Sequence, residues 1–531
     1  MNIRNIYKKL TVATLAVTAL ASCSKYLEEA YIDPNRPVEP NVETVLPPIA
    51  NNWAQGIFFD SRFIGALTQN FVSAGANNLW DRHGWDQNFN SVAGGEVWRQ
   101  HYWAVGSNLK YMIEKGAETQ QWDYVGLSYA MFAYSWQTAG DIYGELIVSQ
   151  AFDATRQTFD FESQELAYKL AGNYCDSAIK YLQLSSPRVT ANSLMPGDAF
   201  LYGGNRTLWL RFAYGIKARN FHRWSRKSSG YMADSVIRYV DSSLRSSAED
   251  ATVKFAGGIT TQSNFYGQLR ANLGNFRQSQ FIVGLMNGAT GTAFAGVVDP
   301  RRGNMLWPSA DGTFRGVAPI RGEVTAVPVT ERVPNPYGLI AGAIPTADTG
   351  RFIYRNTAVL PLLTYAELQF LKAEAAFIKG DRATALTAYT NGINGHFDML
   401  NQSFGGGTAT ALALRFTPAT RAAYLANPAV VPTDASNLTL AMIMNQKYIA
   451  LYFHGHVETW VDLRRYNYSA TVYPSFTVPT GADLFPDNNG KLAARMRPRP
   501  QVEYTWNLAS IQAIGGLDID YHTKPVWFQI P

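Results

Sequence analysis

The stretch Asn77-Asn78-Leu79-Trp80-Asp81-Arg82-His83-Gly84-Trp85 sets two indole rings among amides, a carboxylate and a guanidinium, without helical spacing. An exposed indole face stacks on the C–H face of a sugar ring, and Asn78, Asp81 and Arg82 would supply fixed hydrogen bonds to its hydroxyls. Trp80, Trp85, Asn78, Asp81 and Arg82 are therefore candidate ligand contacts. The same two rings would serve equally as anchors packing the loop on a helical body. Trp307, in "DPRRGNMLWPSADG", forms a second candidate set with Tyr337, against the alternative of a packed or exposed bystander. Trp98, Tyr102 and Trp103 fall at i, i+4 and i+5 of a helical run, which predicts core.

Other constellations point away from catalysis. Arg464, Arg465, Lys447, Glu458 and Asp462 look like an active site, yet their three- and four-residue spacings on one helix suit ion pairs. His454 and His456, two apart, diverge on a helix, and no His-Glu-x-x-His occurs. Gly288, Gly291 and Gly296 do not make a dinucleotide fingerprint, and there is no phosphate loop. Asp81 with Asp86, or Asp518 with Asp520, would make a glycosidase only if each pair faced one bond across about 5–9.5 Å, which spacing in sequence does not establish. No enzyme, cofactor or metal is expected.

These residues need a frame. From about residue 48 to 245, and again over 361–400 and 437–466, apolar residues recur at three and four, as in "QELAYKLAGNYCDSAIKYLQLS", so helices are expected. Residues 252–360, 401–436 and 467–531 are Gly-, Thr- and Pro-rich, which predicts loops and short strands. Ala373, the turn residue Gly380, Ala385 and Tyr389 have the spacing of a tetratricopeptide unit, in which small residues on two helices meet and an aromatic plugs the groove. The fold expected is mainly α: stacked tetratricopeptide-like hairpins with a loop-rich, partly irregular ligand-binding portion.

At the other end, Arg4, Lys8 and Lys9 precede an apolar run from Leu10 to Ala21, a secretory leader too short to span a bilayer. Leu20-Ala21-Ser22-Cys23 resembles a bacterial lipobox, so Cys23 is expected to be lipidated after removal of residues 1–22. Residues 23–47 would be a proline-rich tether, and 48–531 a single domain. Cys175 reads as a buried small hydrophobe, leaving no disulfide. The formal charge of +5 falls to +2 once the three leader cations are gone, and no nucleic-acid footprint remains. Charged residues reach only 16% while aromatics reach 13%, which suits neutral hydroxylated ligands or a broad protein interface.

Taken in order along the chain, these pieces resemble the SusD/RagB family of outer-membrane lipoproteins. The resemblance rests on the lipobox, Asp33-Pro34-Asn35, Asp141-Ile142-Tyr143-Gly144, Asp299-Pro300-Arg301, Tyr365-Ala366-Glu367, Ala373-Glu374-Ala375, and "QKYIALYFHGHVETWVDLRR" with Gln446, Lys447, Glu458, Trp460 and Arg465. It departs near the end, where Arg497 precedes Arg499-Pro500 instead of a Tyr-Pro pair, with Glu503 and Asn507 in step. The resemblance implies a nonenzymatic, surface-exposed, lipid-anchored protein that captures an oligosaccharide and delivers it to a SusC-like TonB-dependent transporter in the outer membrane. Capture of peptides by the same architecture is the alternative, and glycoside hydrolysis a third reading.

Overall fold

The computed structural model describes residues 39–85 and 95–531. Cys23, Asp33-Pro34-Asn35 and Asp86 lie outside the described residues. The first helix, α1 (Val42–Leu67), begins ahead of the expected end of the tether and runs through Pro47 and Pro48. The missing donors of both prolines fall in its second turn, and burial of Val45, Leu46, Ile49 and Trp53 offsets the lost bonds.

Helices α2 (Gly106–Glu118), α3 (Trp122–Tyr143), α4 (Gln164–Tyr181), α5 (Arg206–His222) and α6 (Ala233–Asp241) pack each on the next. After the loop-rich middle, which carries α7 (Gln280–Asn287), the stack resumes with α8 (Tyr365–Lys379) against α5 and α6, then α9 (Arg382–Ser403). Helix α10 (Leu440–Ala450) lies on α8 and α9, and α11 (His456–Arg465) returns to α1 and α3. The hairpin α8–α9 is built as its spacing implies. Thr364 caps α8, Gly380 closes it in the left-handed region (φ 91°), and Asp381 caps α9. Ala373, Ala385 and Tyr389 are fully buried, and the Tyr389 hydroxyl donates to the Val430 carbonyl at 2.7 Å.

The stack's interior is charged. Arg223 forks onto Asp141 at 2.7 and 2.8 Å, and Arg219 forks onto Glu367 at 2.8 Å through two nitrogens. Arg465 grips Glu374 at 2.7 and 3.0 Å and Asp462 at 2.7 Å, and Lys447 holds the other oxygen of Asp462 at 2.7 Å. Of the pairs expected along α11, only Arg465 with Asp462 is intrahelical among the described residues; the other ion pairs reach the end of α5, α8 and α10, and Arg464 donates to the Asp141 carbonyl of α3. Burial alone would push the Glu374 carboxyl up, but Arg465 and the nearby His222 outweigh it and hold it well below the usual range. Gly144 ends α3 at φ 82°, where a Cβ would sit 3.0 Å from the Arg495 guanidinium. Cys175 is buried, and burial pushes its thiol up.

Two short antiparallel pairs complete the frame: β1 (Phe71–Ser73) with β3 (Phe276–Gln278), and β2 (Ala251–Val253) with β4 (Leu360–Leu363). Among the described residues no helix is long and apolar enough to cross a membrane.

Removing the anion of Glu374 leaves Arg465 with a displaced charge in a closed interior, and Glu374→Gln should cost about 3–5 kcal/mol. Equilibrium urea unfolding measures this, and a loss below about 1 kcal/mol would contradict the account.

Candidate ligand-binding site

The pairing of β1 with β3 brings together two loop regions some 200 residues apart in the chain, with Phe71 opposite Gln278 and Ser73 opposite Phe276. Beyond the strands, Ala74 N–H donates to the Asn275 carbonyl at 2.8 Å, Asn77 N–H to Ile320 at 2.7 Å, and Glu323 N–H back to Ala74 at 2.8 Å. The Trp80 loop is thereby laced to the irregular middle.

Within that loop the candidates separate. Trp80 is half-buried, its ring centroid 4.6 Å from Phe63 of α1 and 5.1 Å, edge-on, from Trp85. Trp85 is 3% exposed and acts as the anchor beneath it. Asn78 accepts from Trp80 N–H at 3.0 Å, an Asx turn that fixes the loop. Asp81 turns inward to accept from Ser73 N–H at 3.1 Å, and burial, opposed by that bond and one from Ile320, pushes its carboxyl up to about 7. Arg82 donates to the Ala482 and Leu484 carbonyls at 3.1 and 2.9 Å, pinning the loop to the turn at 481–485. Of the five candidates, Trp80 has the ring left partly accessible; in Trp85 and Asp81 the expected contact groups face the interior, because an apolar ring and a backbone N–H need them there.

Trp307 is held on several sides. Its indole N–H donates to Pro336 at 2.8 Å, Arg351 lies 3.5 Å over the ring, and a Cβ on Gly338 (φ 84°) would approach it to 3.0 Å. Tyr337 is buried, its hydroxyl accepting from Leu273 N–H at 3.3 Å. Both work as supports for the loops around them. Trp98 is core, but Trp103, expected beside it, is 65% exposed. The widened turn Gln100–Ala104, closed by Val105 N–H on the Gln100 carbonyl, breaks the helical phase between them and turns Trp103 out.

Beside the laced loops lies a hollow of about 450 Å³ lined by Asn272, Gly274, Asn275, Arg277, Asn335 and Ile344. A second, of about 530 Å³, is lined in part by Gln280, Asn287, Phe314, Arg321 and Glu323. The Arg277–Glu323 ion pair at 3.0 Å joins their walls. Asn272 connects the first hollow to α1: its amide donates at 2.8 Å to the carbonyl of Phe265, whose ring lies under Arg62. The amides and Arg62 were not singled out from sequence; the one available signal was an arginine set between Phe59 and Phe63 on an otherwise apolar helix face. A separate groove of about 310 Å³ between α4 and α5, lined by Lys169, Asn173, Asp176, Lys217 and Trp224, lies on the helical body.

Asp518 pairs with Lys524 at 2.7 Å and Asp520 with Lys491 at 3.3 Å. His454 and His456 are buried, and burial pushes them down to about 4 and about 3. Among the described residues no group of three or more His, Cys, Asp or Glu side chains could hold a metal ion. Glu503 accepts the Trp98 indole N–H at 3.0 Å, Asn507 brackets the Phe159 backbone, and Arg499 pairs with Glu96 at 3.3 Å. The altered C-terminal motif is thus local packing.

A family model described as "Starch-binding associating with outer membrane", of the SusD-like type, matches residues 34–497. No curated protein matches the sequence. Among solved structures, a SusD/RagB family protein from Bacteroides thetaiotaomicron is 20% identical, covering 92% of this chain and 99% of its own, with a TM-score of 0.64. A chitin-binding SusD homologue from Flavobacterium johnsoniae is 18% identical over 92% and 98%, with a TM-score of 0.66. A SusD homologue from Bacteroides fragilis is 17% identical over 90% and 99%, also at 0.66.

Asp81 carries a pH signature of the loop. Its folded pKa, about 7, lies above the roughly 3.9 of an unfolded aspartate, so its stabilising contribution is full below pH 4 and is lost as pH rises through 7. Asp81→Asn should leave stability unchanged near pH 4 and raise it at pH 8 by on the order of 1–3 kcal/mol. Thermal unfolding of both proteins across that range checks it; parallel curves would refute it.

Proposed function

The chain belongs to the SusD-like family of starch-binding, outer-membrane-associating proteins, and from that premise we propose that it captures an oligosaccharide at the laced loop face and passes it to a SusC-like TonB-dependent transporter. The observation that carries the reading is a partly accessible indole connected, through a chain of ring and backbone contacts, to an amide-lined hollow. Trp80 stands on Phe63, Phe63 and Phe265 flank Arg62, and Phe265 is tied to Asn272 at the hollow's wall. A stacking ring supplies apolar contact to a sugar's C–H face, and amides supply directed bonds to its hydroxyls. The chitin-binding homologue from Flavobacterium johnsoniae supports a carbohydrate as the ligand class.

The protein acts by binding and delivery rather than by bond cleavage. Asp81 caps a backbone N–H, and Asp518 and Asp520 pair with lysines. Lipid on Cys23, followed by the proline-rich segment, would hold a large binding body at the membrane while letting it move over a pore. Glu28-Glu29 just after the cysteine fits outward display.

Trp80→Ala should weaken binding by about 1–3 kcal/mol in native affinity electrophoresis against a panel of soluble polysaccharides, with little change in melting temperature. Trp85→Ala should instead lower stability by about 3–5 kcal/mol. The reverse pattern, with Trp80 moving only stability, would place the ligand elsewhere. Cys23→Ala should shift the protein from the membrane pellet to the soluble fraction; continued pelleting would mean that something other than lipid holds it.

A further inference from the structure

Two guanidinium groups beside the loop face make no ion pair among the described residues. Arg62 of α1 is half-buried, 4.3 Å from the ring centroid of Phe59, 5.2 Å from Phe265 and 5.6 Å from Phe63. Its one hydrogen bond among the described residues is a long one, Nε to the Phe59 carbonyl at 3.4 Å, and no described carboxylate makes an ion pair with it. The nearest acid in sequence, Asp60, acts on Arg62 through space without bonding it, its oxygens accepting from Val97 N–H at 2.8 Å, Glu96 N–H at 3.1 Å and the Tyr143 hydroxyl at 3.2 Å. Arg270, on the loop that carries Phe265 and Asn272, gives its Nε to the Ser263 carbonyl at 3.0 Å and makes no ion pair among the described residues either. Arg277 is matched by Glu323, whereas the two other arginines make no ion pair among the described residues.

That pattern contrasts with the interior, where Arg219, Arg223 and Arg465 each fork onto a carboxylate. Three phenyl rings withdraw water from the Arg62 guanidinium, and its two terminal NH₂ groups have no hydrogen-bond acceptor among the described residues. A partly dehydrated cation with its planar fork unspent is complementary to a planar anion, which two parallel N–H bonds match in charge and shape. A neutral hydroxyl would take one such bond and leave the charge uncompensated. The amides of Asn272, Asn275 and Asn335 along the adjoining hollow, and the ring of Trp80, suit a chain of hydroxylated rings, which favours a sugar as the carrier of the anion.

Resting on the carbohydrate reading above, we infer that the ligand is an acidic oligosaccharide, with a uronate carboxylate read by Arg62 and its neighbouring sugars by the amide-lined hollow. The test is native affinity electrophoresis of the full chain in polygalacturonate, alginate and glucuronate-containing polymers. Each is paired with its carboxyl-reduced neutral form, and neutral starch and chitin oligomers are run as competitors. Expected are retardation by at least one acidic polymer, loss of that retardation on carboxyl reduction, and at least a tenfold weaker effect in Arg62→Gln. Arg62→Lys should recover part of it, and Arg188→Gln, on the exposed surface, should match the parent. Melting temperatures of all variants separate binding from folding. Equal retardation by the reduced polymers, or binding unchanged in Arg62→Gln, would overturn the acidic assignment and leave the carbohydrate reading standing. Retardation by none of the polymers, with acidic peptides bound instead, would overturn both.

Discussion

The fold hangs on a set of charges closed inside a helical stack. Asp141 ends α3, Arg219 and Arg223 lie on α5, Glu367 and Glu374 on α8, Lys447 on α10, and Glu458, Asp462 and Arg465 on α11, all buried. Each ion is expensive to dehydrate, and only a partner at the right distance from another helix compensates it. A shift of one helix along its neighbour would strand a charge in a medium that cannot solvate it. Apolar packing among Ala373, Ala385 and Tyr389 would tolerate several registers, whereas two-pronged contacts such as Arg223 on Asp141 admit one. Arg464 extends the constraint outward, donating to the Asp141 and Ala494 carbonyls and so fixing the C-terminal segment to the stack.

On so firm a frame the loops need little structure of their own. The β1–β3 pair is three residues long, and the connections beyond it are single backbone bonds and side-chain clamps: Arg82 on the 481–485 turn, Trp307 on Pro336, Asn78 on its own loop. Such loops expose amides and partly buried rings at low energetic cost to the fold, since the core's stability lies elsewhere. The low charge content of the chain takes on a spatial meaning here. Much of the ionic content is folded inward, so the guanidinium groups at the loop face stand in a background of few competing charges.

Legibility from sequence followed the range of the interaction. The α8–α9 hairpin was readable because Ala373, Gly380, Ala385 and Tyr389 are fixed by local helical geometry. The conspicuous charged residues of α11 were recognised as structural, yet their partners on α3, α5, α8 and α10 were invisible, because pairing across hundreds of residues leaves no periodic trace. Trp103 was misplaced by a single wide turn, which shifts phase without any marker in composition. The Trp80 loop was singled out by its residue types, but types do not distinguish a ring left partly accessible from one packed inward: Trp85 is buried against Trp80, and Trp307 is tied to Pro336.

Arg62 escaped notice for the opposite cause. On α1 it follows Phe58, Phe59 and Asp60 and precedes Phe63, a pattern that reads as an ordinary snorkelling cation paired with the acid two residues before it. Two positions on a helix point about 200° apart, so Asp60 acts on Arg62 through space without bonding it and instead caps the turn at Glu96. The same helix thereby sends its anion into the frame and leaves its cation at the loop face. A charge separated in this way is stable only while the cation keeps some water or gains an anion from outside. The three rings that surround Arg62 have already removed part of that water, which makes the loop face selective for the sign of what it meets.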